Sequence, residues 1–168
     1  MAPQQKQRKM AIVGSRSLRN FETTETKRTQ RDKDRSTETC APGKSSLTVQ
    51  YVDGHFVDSY YPTIENTFSK VINYKNQDFA VEIIDTAGQG ADEVPICIVG
   101  NKCDLRPEQR QVKKEDGHKL AAQLKCSWTE ASARIDENVT KAFEMMLGEI
   151  EKGQEAGQPK EGGKCAVM

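Results

Sequence analysis

The feature that most constrains this chain is a Gly-Lys-Ser run lying far from the strand it should follow. Lys9-Met10-Ala11-Ile12-Val13 reads as a short apolar strand that ends in Gly14-Ser15-Arg16-Ser17, and Gly43-Lys44-Ser45-Ser46 opens a helix. With one residue between Ser17 and Gly43, the two pieces would make G-x-x-x-x-G-K-[ST]. That pattern suits phosphate, because successive backbone N–H groups and a helix N-terminus converge on one anion. Lys44 would reach the β- and γ-phosphates, and the Ser45 hydroxyl would ligate Mg²⁺. Here twenty-five residues, 18–42, stand where one is expected. The insertion carries eleven charged residues of both signs and only Leu18, Phe21, Cys40 and Ala41 as apolar ones. No helical or strand period runs through it, so a disordered loop is expected.

The chain has 168 residues, which suits one domain with a real core. Lysine plus arginine balances aspartate plus glutamate at 25 each, so charge gives no argument for a nucleic-acid partner. The five cysteines, at 40, 97, 103, 126 and 165, have no metal-like spacing, and a reduced, cytosolic setting is expected. The N-terminus is basic and polar and does not read as a signal peptide, and no run reaches membrane-spanning length.

Beyond Lys44 the pattern predicts a helix to about Val52, closed by Asp53-Gly54. Strands are predicted at 68–74 and 79–84, joined by a turn at Lys75-Asn76-Gln77. In the second of them Phe79, Val81 and Ile83 share one face, with Ala80, Glu82 and Ile84 on the other. A buried strand follows at 96–99, a helix at 114–124 and a short strand at 126–129. Val139, Ala142, Phe143, Met146, Leu147 and Ile150 give the best amphipathic helix in the chain. Strands alternating with helices predict an α/β fold with a mostly parallel sheet and flanking helices. His55 and His118 sit in polar surroundings and read as surface residues, Cys97 and Cys126 as small apolar residues, and Trp128 as packing beside the sheet.

Three strand ends carry chemistry. Asp85-Thr86-Ala87-Gly88-Gln89 places a carboxylate that can hold Mg²⁺ through water, a Gly88 N–H that can donate to a γ-phosphate, and a Gln89 that could orient an attacking water. Asn101-Lys102-Cys103-Asp104 places a carboxylate, Asp104, able to accept from guanine N1–H and its 2-amino group together. Asn101 can meet N7 and brace the loop, and the Lys102 stem can lie along the base. Glu130-Ala131-Ser132-Ala133-Arg134 can offer backbone N–H groups, those of Ser132 and Ala133, to the guanine O6.

GKSS, PTIENTF, DTAGQ, NKCD and EASAR, in this order, resemble the Ras-like small GTPases, which share the P-loop NTPase fold. Gly14-Ser15-Arg16-Ser17, the stretch Tyr60 to Phe68 and the terminal Cys-Ala-Val-Met are most similar to the Rheb family, particularly its fungal members. The resemblance implies a GTP/GDP switch that hydrolyses GTP with Mg²⁺. It implies that Gln89, Lys44 and Thr63 serve catalysis, and that Ser45, Thr63 and Asp85 serve the metal. Tyr60 would close over the nucleotide, Ser46 would help hold it, and Arg16 would crowd the attacking water and slow hydrolysis. The implied partners are the target-of-rapamycin kinase complex and GTPase-activating and exchange proteins, with the chain itself a monomer. The final Cys-a-a-X implies a farnesyl group on Cys165. The expected location is the cytoplasmic face of endomembranes or the plasma membrane, with a cytosolic fraction, since one lipid without a basic cluster anchors reversibly.

Against the family pattern, roughly forty residues are missing after Gln89, including a central strand of the doubly wound sheet. A parallel return needs about a dozen or more residues, and Gly90–Pro95 offers six, about 20 Å when extended. The expectation is therefore a GTPase domain over 1–152 whose sheet is incomplete and cannot close in the usual way, followed by a flexible tail over 153–168. The competing expectations are a prenylated, non-catalytic remnant or unstable splice or gene-model variant that binds nucleotide poorly, and a P-loop ATPase or kinase.

Overall fold

The computed structural model describes residues 5–14, 43–58, 63–86, 94–110, 112–155 and 163–167; the insertion at 18–42 lies outside them. Strand β1 (Lys6–Val13) buries Met10 and Ile12 on one face and leaves Gln7 and Lys9 exposed on the other. Helix α1 (Lys44–Asp53) starts from Gly43 and stops at Gly54, both left-handed at φ 78° and 70°, where glycine is the residue without penalty. Strands β2 (Glu65–Tyr74) and β3 (Gln77–Thr86) form an antiparallel hairpin in which Tyr74 faces Gln77. Lys75 and Asn76 between them both take positive φ, the signature of a type I′ turn.

Strand β4 (Ile96–Gly100) is followed by a 3₁₀ turn (Pro107–Gln109), helix α2 (Lys114–Leu124), strand β5 (Ser127–Glu130) and helix α3 (Val139–Glu155). The six apolar residues that predict α3 are all buried, and Tyr51 of α1 stacks on Phe143 with ring centroids 3.9 Å apart. Burial, with Glu144 nearby, pushes the Tyr51 hydroxyl up to about 12, so this ring stays neutral in the core. Trp128 lies against Gly117 of α2 so closely that a Cβ there would sit 2.3 Å from the indole, which explains a glycine inside that helix. The predicted elements agree with these to within three residues at every end except the last, where α3 runs five residues past Ile150.

The sheet closes, but by an unusual route, in keeping with the short junction. Its order is β2-β3-β1-β6-β4-β5, where β6 is Gly163–Val167, from the stretch expected to be a flexible tail. β6 lies parallel between β1 and β4, with Cys165 in register with Ile12 on one side and Cys97 on the other. Helix α3 delivers it there. Glu151, near the helix end, holds Arg8 at 2.7 Å and Lys6 at 3.6 Å, so the helix finishes beside the start of β1. From that point a strand parallel to β1 can begin.

Register also explains why so short a junction suffices. Ala11 pairs with Ile84 and with Lys164, and Lys164 pairs with Ile96, so β4 begins level with Ile84 near the top of β3. The chain need not return a full strand length. It must move sideways by three strand spacings, about 14 Å, and residues 87–95 extend to about 30 Å. On β1–β3 the face away from α1 and α3 has Gln7, Lys9, Ser69 and Val71 exposed, with Ala80 and Glu82 half-buried. Lys9 and Glu82 pair across it at 3.1 Å.

Candidate nucleotide site

Parallel strands end on one edge, and there the sequence motifs collect, as expected for a crevice at the carboxyl ends of an α/β sheet. β1 leads into Gly14, β3 ends at Asp85 and Thr86, β4 leads into Asn101 and β5 ends at Glu130. Lys44 Nζ donates to the Gly14 carbonyl at 3.2 Å, so the two broken ends of the phosphate motif meet although these residues lie 30 positions apart. Thr86 Oγ1 donates to Ile12 O at 2.9 Å and ties the end of β3 to the same strand.

Beside Lys44, the Ser45 and Thr63 hydroxyls are 2.8 Å apart. Asp85 is fully buried, and neither carboxylate oxygen has a hydrogen-bond partner among the described residues. Burial pushes its carboxyl above the ordinary value; the nearby Ser45 hydroxyl and Lys44 ammonium oppose that. A buried carboxylate without a partner is costly unless something cationic completes it. Two hydroxyls and a carboxylate are hard oxygen donors, the set that Mg²⁺ takes together with phosphate and water. The residues fit the ion.

The base half is built on Asn101. Its Oδ1 accepts from the Lys102 N–H at 2.8 Å and the Ala133 N–H at 3.4 Å, and its Nδ2 donates to the Gly43 carbonyl at 3.1 Å. One side chain thus joins the NKCD turn, the EASAR turn and the start of α1. The approach is close: a Cβ on Gly43 would lie 2.5 Å from Asn101 Nδ2. Lys102 adopts φ 67°, uncommon for a residue with a side chain. Ser132 Oγ donates to Asp104 Oδ1 at 2.6 Å, which orients the exposed carboxylate and leaves its second oxygen for a ligand.

Of the expected site residues, Gly14, Gly43, Lys44, Ser45, Thr63 and Asp85 come together, as do Asn101, Lys102, Asp104, Ser132 and Ala133, with Ser46 in the first turn of α1. Ser15, Arg16, Ser17, Tyr60, Gly88 and Gln89 lie outside the described residues. Cys165 lies in β6, within the sheet. Cys97 is buried and Cys126 partly so, and burial raises the Cys126 thiol, as does burial beside Glu137 for Cys103, pushed up to about 11. Cys103 and Cys126 are thiols, not thiolates.

Sequence reasoning missed Arg110. Its guanidinium donates to Leu105 O at 3.1 Å, Cys103 O at 2.5 Å and Glu130 Oε1 at 2.8 Å, clamping the NKCD turn to the end of β5. A basic residue six positions after Asp104, with Glu130 opening the next motif, was the available signal.

The Ras family pattern matches residues 39–92 and 90–152 of the chain. Among curated relatives, the small monomeric GTPase RhbA of Aspergillus fumigatus is 44% identical, over 97% of this chain and 97% of its own length. GTP-binding protein rhb1 of Schizosaccharomyces pombe is 42% identical over 96% and 97%, and human GTP-binding protein Rheb is 31% identical over 99% and 100%. The first alignment spans 206 positions, more than the 168 residues present, so that relative carries residues this chain lacks.

Arg110→Met should weaken GDP binding while leaving the phosphate half intact. Loss of a charge-assisted restraint of about 1.5–3 kcal/mol corresponds to roughly 10–100-fold in affinity if fully transmitted. A fluorescent-GDP titration measures it, and an unchanged dissociation constant would show that the clamp does not position the base loop.

Proposed function

The chain belongs to the Ras family of small GTPases, and from that premise we propose that it is a Rheb-type switch acting on the target-of-rapamycin kinase complex. It binds GTP and GDP with Mg²⁺ and hydrolyses GTP. The observation that carries this reading is the Asn101 bridge, which fixes the base-reading turn to the phosphate-binding helix through Gly43. A nucleotide spanning the two halves would meet a geometry already set.

Each side chain has a role in that chemistry. The Lys44 ammonium and the backbone N–H groups at the start of α1 hold phosphate oxygens and stabilise the charge that develops on them. Ser45, Thr63 and Asp85 would hold Mg²⁺, which would supply positive charge against the phosphate oxygens. Asp104, held by Ser132, accepts from guanine, and Gln89 is assigned to the attacking water. Ile64, 87% exposed and next to Thr63, offers an apolar surface to a partner beside the residue that senses the γ-phosphate. GTPase-activating and exchange proteins complete the cycle. The meeting of Lys44 with Gly14 favours this reading over that of a remnant unable to bind nucleotide.

Guanine over adenine is the direct test. In equilibrium binding GTP should outcompete ATP, because adenine offers Asp104 no matching donor pair and leaves a polar site unpaired. Asp104→Ala should remove the preference. Equal retention of the two nucleotides by the wild-type chain would overturn the assignment.

The lipid part of the proposal rests on Cys165-Ala-Val-Met168. A single farnesyl chain gives partial, reversible binding to cytoplasmic membrane faces, with a cytosolic fraction. Fractionation in cells should show Cys165→Ser wholly soluble and the parent partly membrane-bound, at low and high salt alike. Equal distribution of the two would exclude the lipid.

A further inference from the structure

Among the described residues, β6 is the only strand that touches both halves of the site. β1, on one side, leads to Gly14 and the phosphate half, and β4, on the other, leads to Asn101 and the base half. Four register pairs join β6 to β1 and four join it to β4, with Lys164, Cys165 and Ala166 paired on both edges. Without this segment two strand edges would face one another across an empty lane with unpaired backbone groups, an arrangement native sheets avoid. The same segment contains Cys165.

We propose that the lane between β1 and β4 is a strand-acceptor surface whose occupant is the chain's own C-terminal segment, so that seating Gly163–Val167 completes the nucleotide site and withdraws Cys165 from lipid attachment. The lipid half of this inference rests on the reading of Cys165 as a farnesylation site. Attachment forms a bond from the Cys165 sulfur to C1 of the isoprenyl diphosphate, expels diphosphate and gives the thiol proton to solvent. The transferase must hold the segment extended and free of other pairing. A strand paired on both sides of Cys165 cannot be presented in that way, so the two states exclude each other.

Coupling follows by linkage. A nucleotide that grips Lys44 and Asp104 together favours the seated strand, and by reciprocity the released or lipidated segment weakens nucleotide binding. Seated, the chain is a complete nucleotide binder without its anchor. Released, it can be lipidated but loses the strand pairing between its two halves.

The test is in vitro labelling of the full chain by protein farnesyltransferase with radiolabelled farnesyl diphosphate. Labelling of the wild-type chain should be slower with saturating GDP and Mg²⁺ than without nucleotide, by on the order of 5- to 150-fold, the usual range for linked sites. Lys164→Pro removes a backbone donor that a central strand needs and leaves the Cys-a-a-X intact. Compared with Lys164→Ala, it should label faster, lose the effect of GDP and bind GDP more weakly. A wild-type rate indifferent to GDP and equal to that of the free peptide 156–168 would overturn the proposal, and this comparison needs no variant to fold. If even the peptide is not labelled, the lipid reading fails. The seating claim then stands or falls on GDP affinity: weaker for Lys164→Pro than Lys164→Ala sustains it, and equal affinities sink it.

Discussion

The structure depends on backbone pairing at one position in the sheet, the lane between β1 and β4. A parallel sheet satisfies its N–H and C=O groups only through its neighbours, and a lane left empty would expose two edges at its middle. The segment Gly163–Val167 fills it in register with both neighbours. Everything that reads the nucleotide hangs from strands on either side of this pairing. Gly14, Asp85 and Thr63 belong to the β1–β3–β2 half, and Asn101, Asp104 and Ser132 to the β4–β5 half. Helix α3 makes the arrangement possible by carrying the chain back to the start of β1, where Glu151 meets Arg8.

Two further contacts hold the halves in alignment. Asn101 reaches Gly43 from the base side, and Lys44 reaches Gly14 from the phosphate side. Between them lies Asp85, fully buried with no hydrogen-bond partner among the described residues, beside the paired hydroxyls of Ser45 and Thr63. Desolvation makes this carboxylate costly in the free protein even with Lys44 and Ser45 nearby, and a Mg²⁺-nucleotide complex would relieve it. Stability and function are therefore coupled at this point: the chain keeps a local cost that its ligand removes.

Much of this was legible in the residues. The site motifs announce themselves because phosphate, Mg²⁺ and guanine each demand particular groups at strand ends, and α3 announces itself through six apolar positions on one helical face. The hairpin turn was legible at Lys75-Asn76-Gln77, though its positive φ at two non-glycine residues was not. β6 was not legible. Gly163-Lys164-Cys165-Ala166-Val167 has no strand alternation, and its conformation comes from the two edges that receive it, a tertiary effect that outweighs local propensity. The route of closure was hidden for a related reason. Strand lengths can be estimated from sequence, but the offset that sets Ile96 level with Ile84 is a property of the assembled sheet. Arg110 was hard to see because two of its three partners are backbone carbonyls, which leave no trace in residue type, and only Glu130 is a side chain.

The central claim is that the C-terminal segment is a strand of the sheet, and amide hydrogen exchange measures this directly. In the GDP- and Mg²⁺-bound full chain, the amides of Cys165 and Ala166 should be protected to the same degree as those of Ile12 and Ile98, since all four open only when the sheet opens. Exchange of Cys165 and Ala166 at the rate of a free peptide, with Ile12 and Ile98 still protected, would contradict the account.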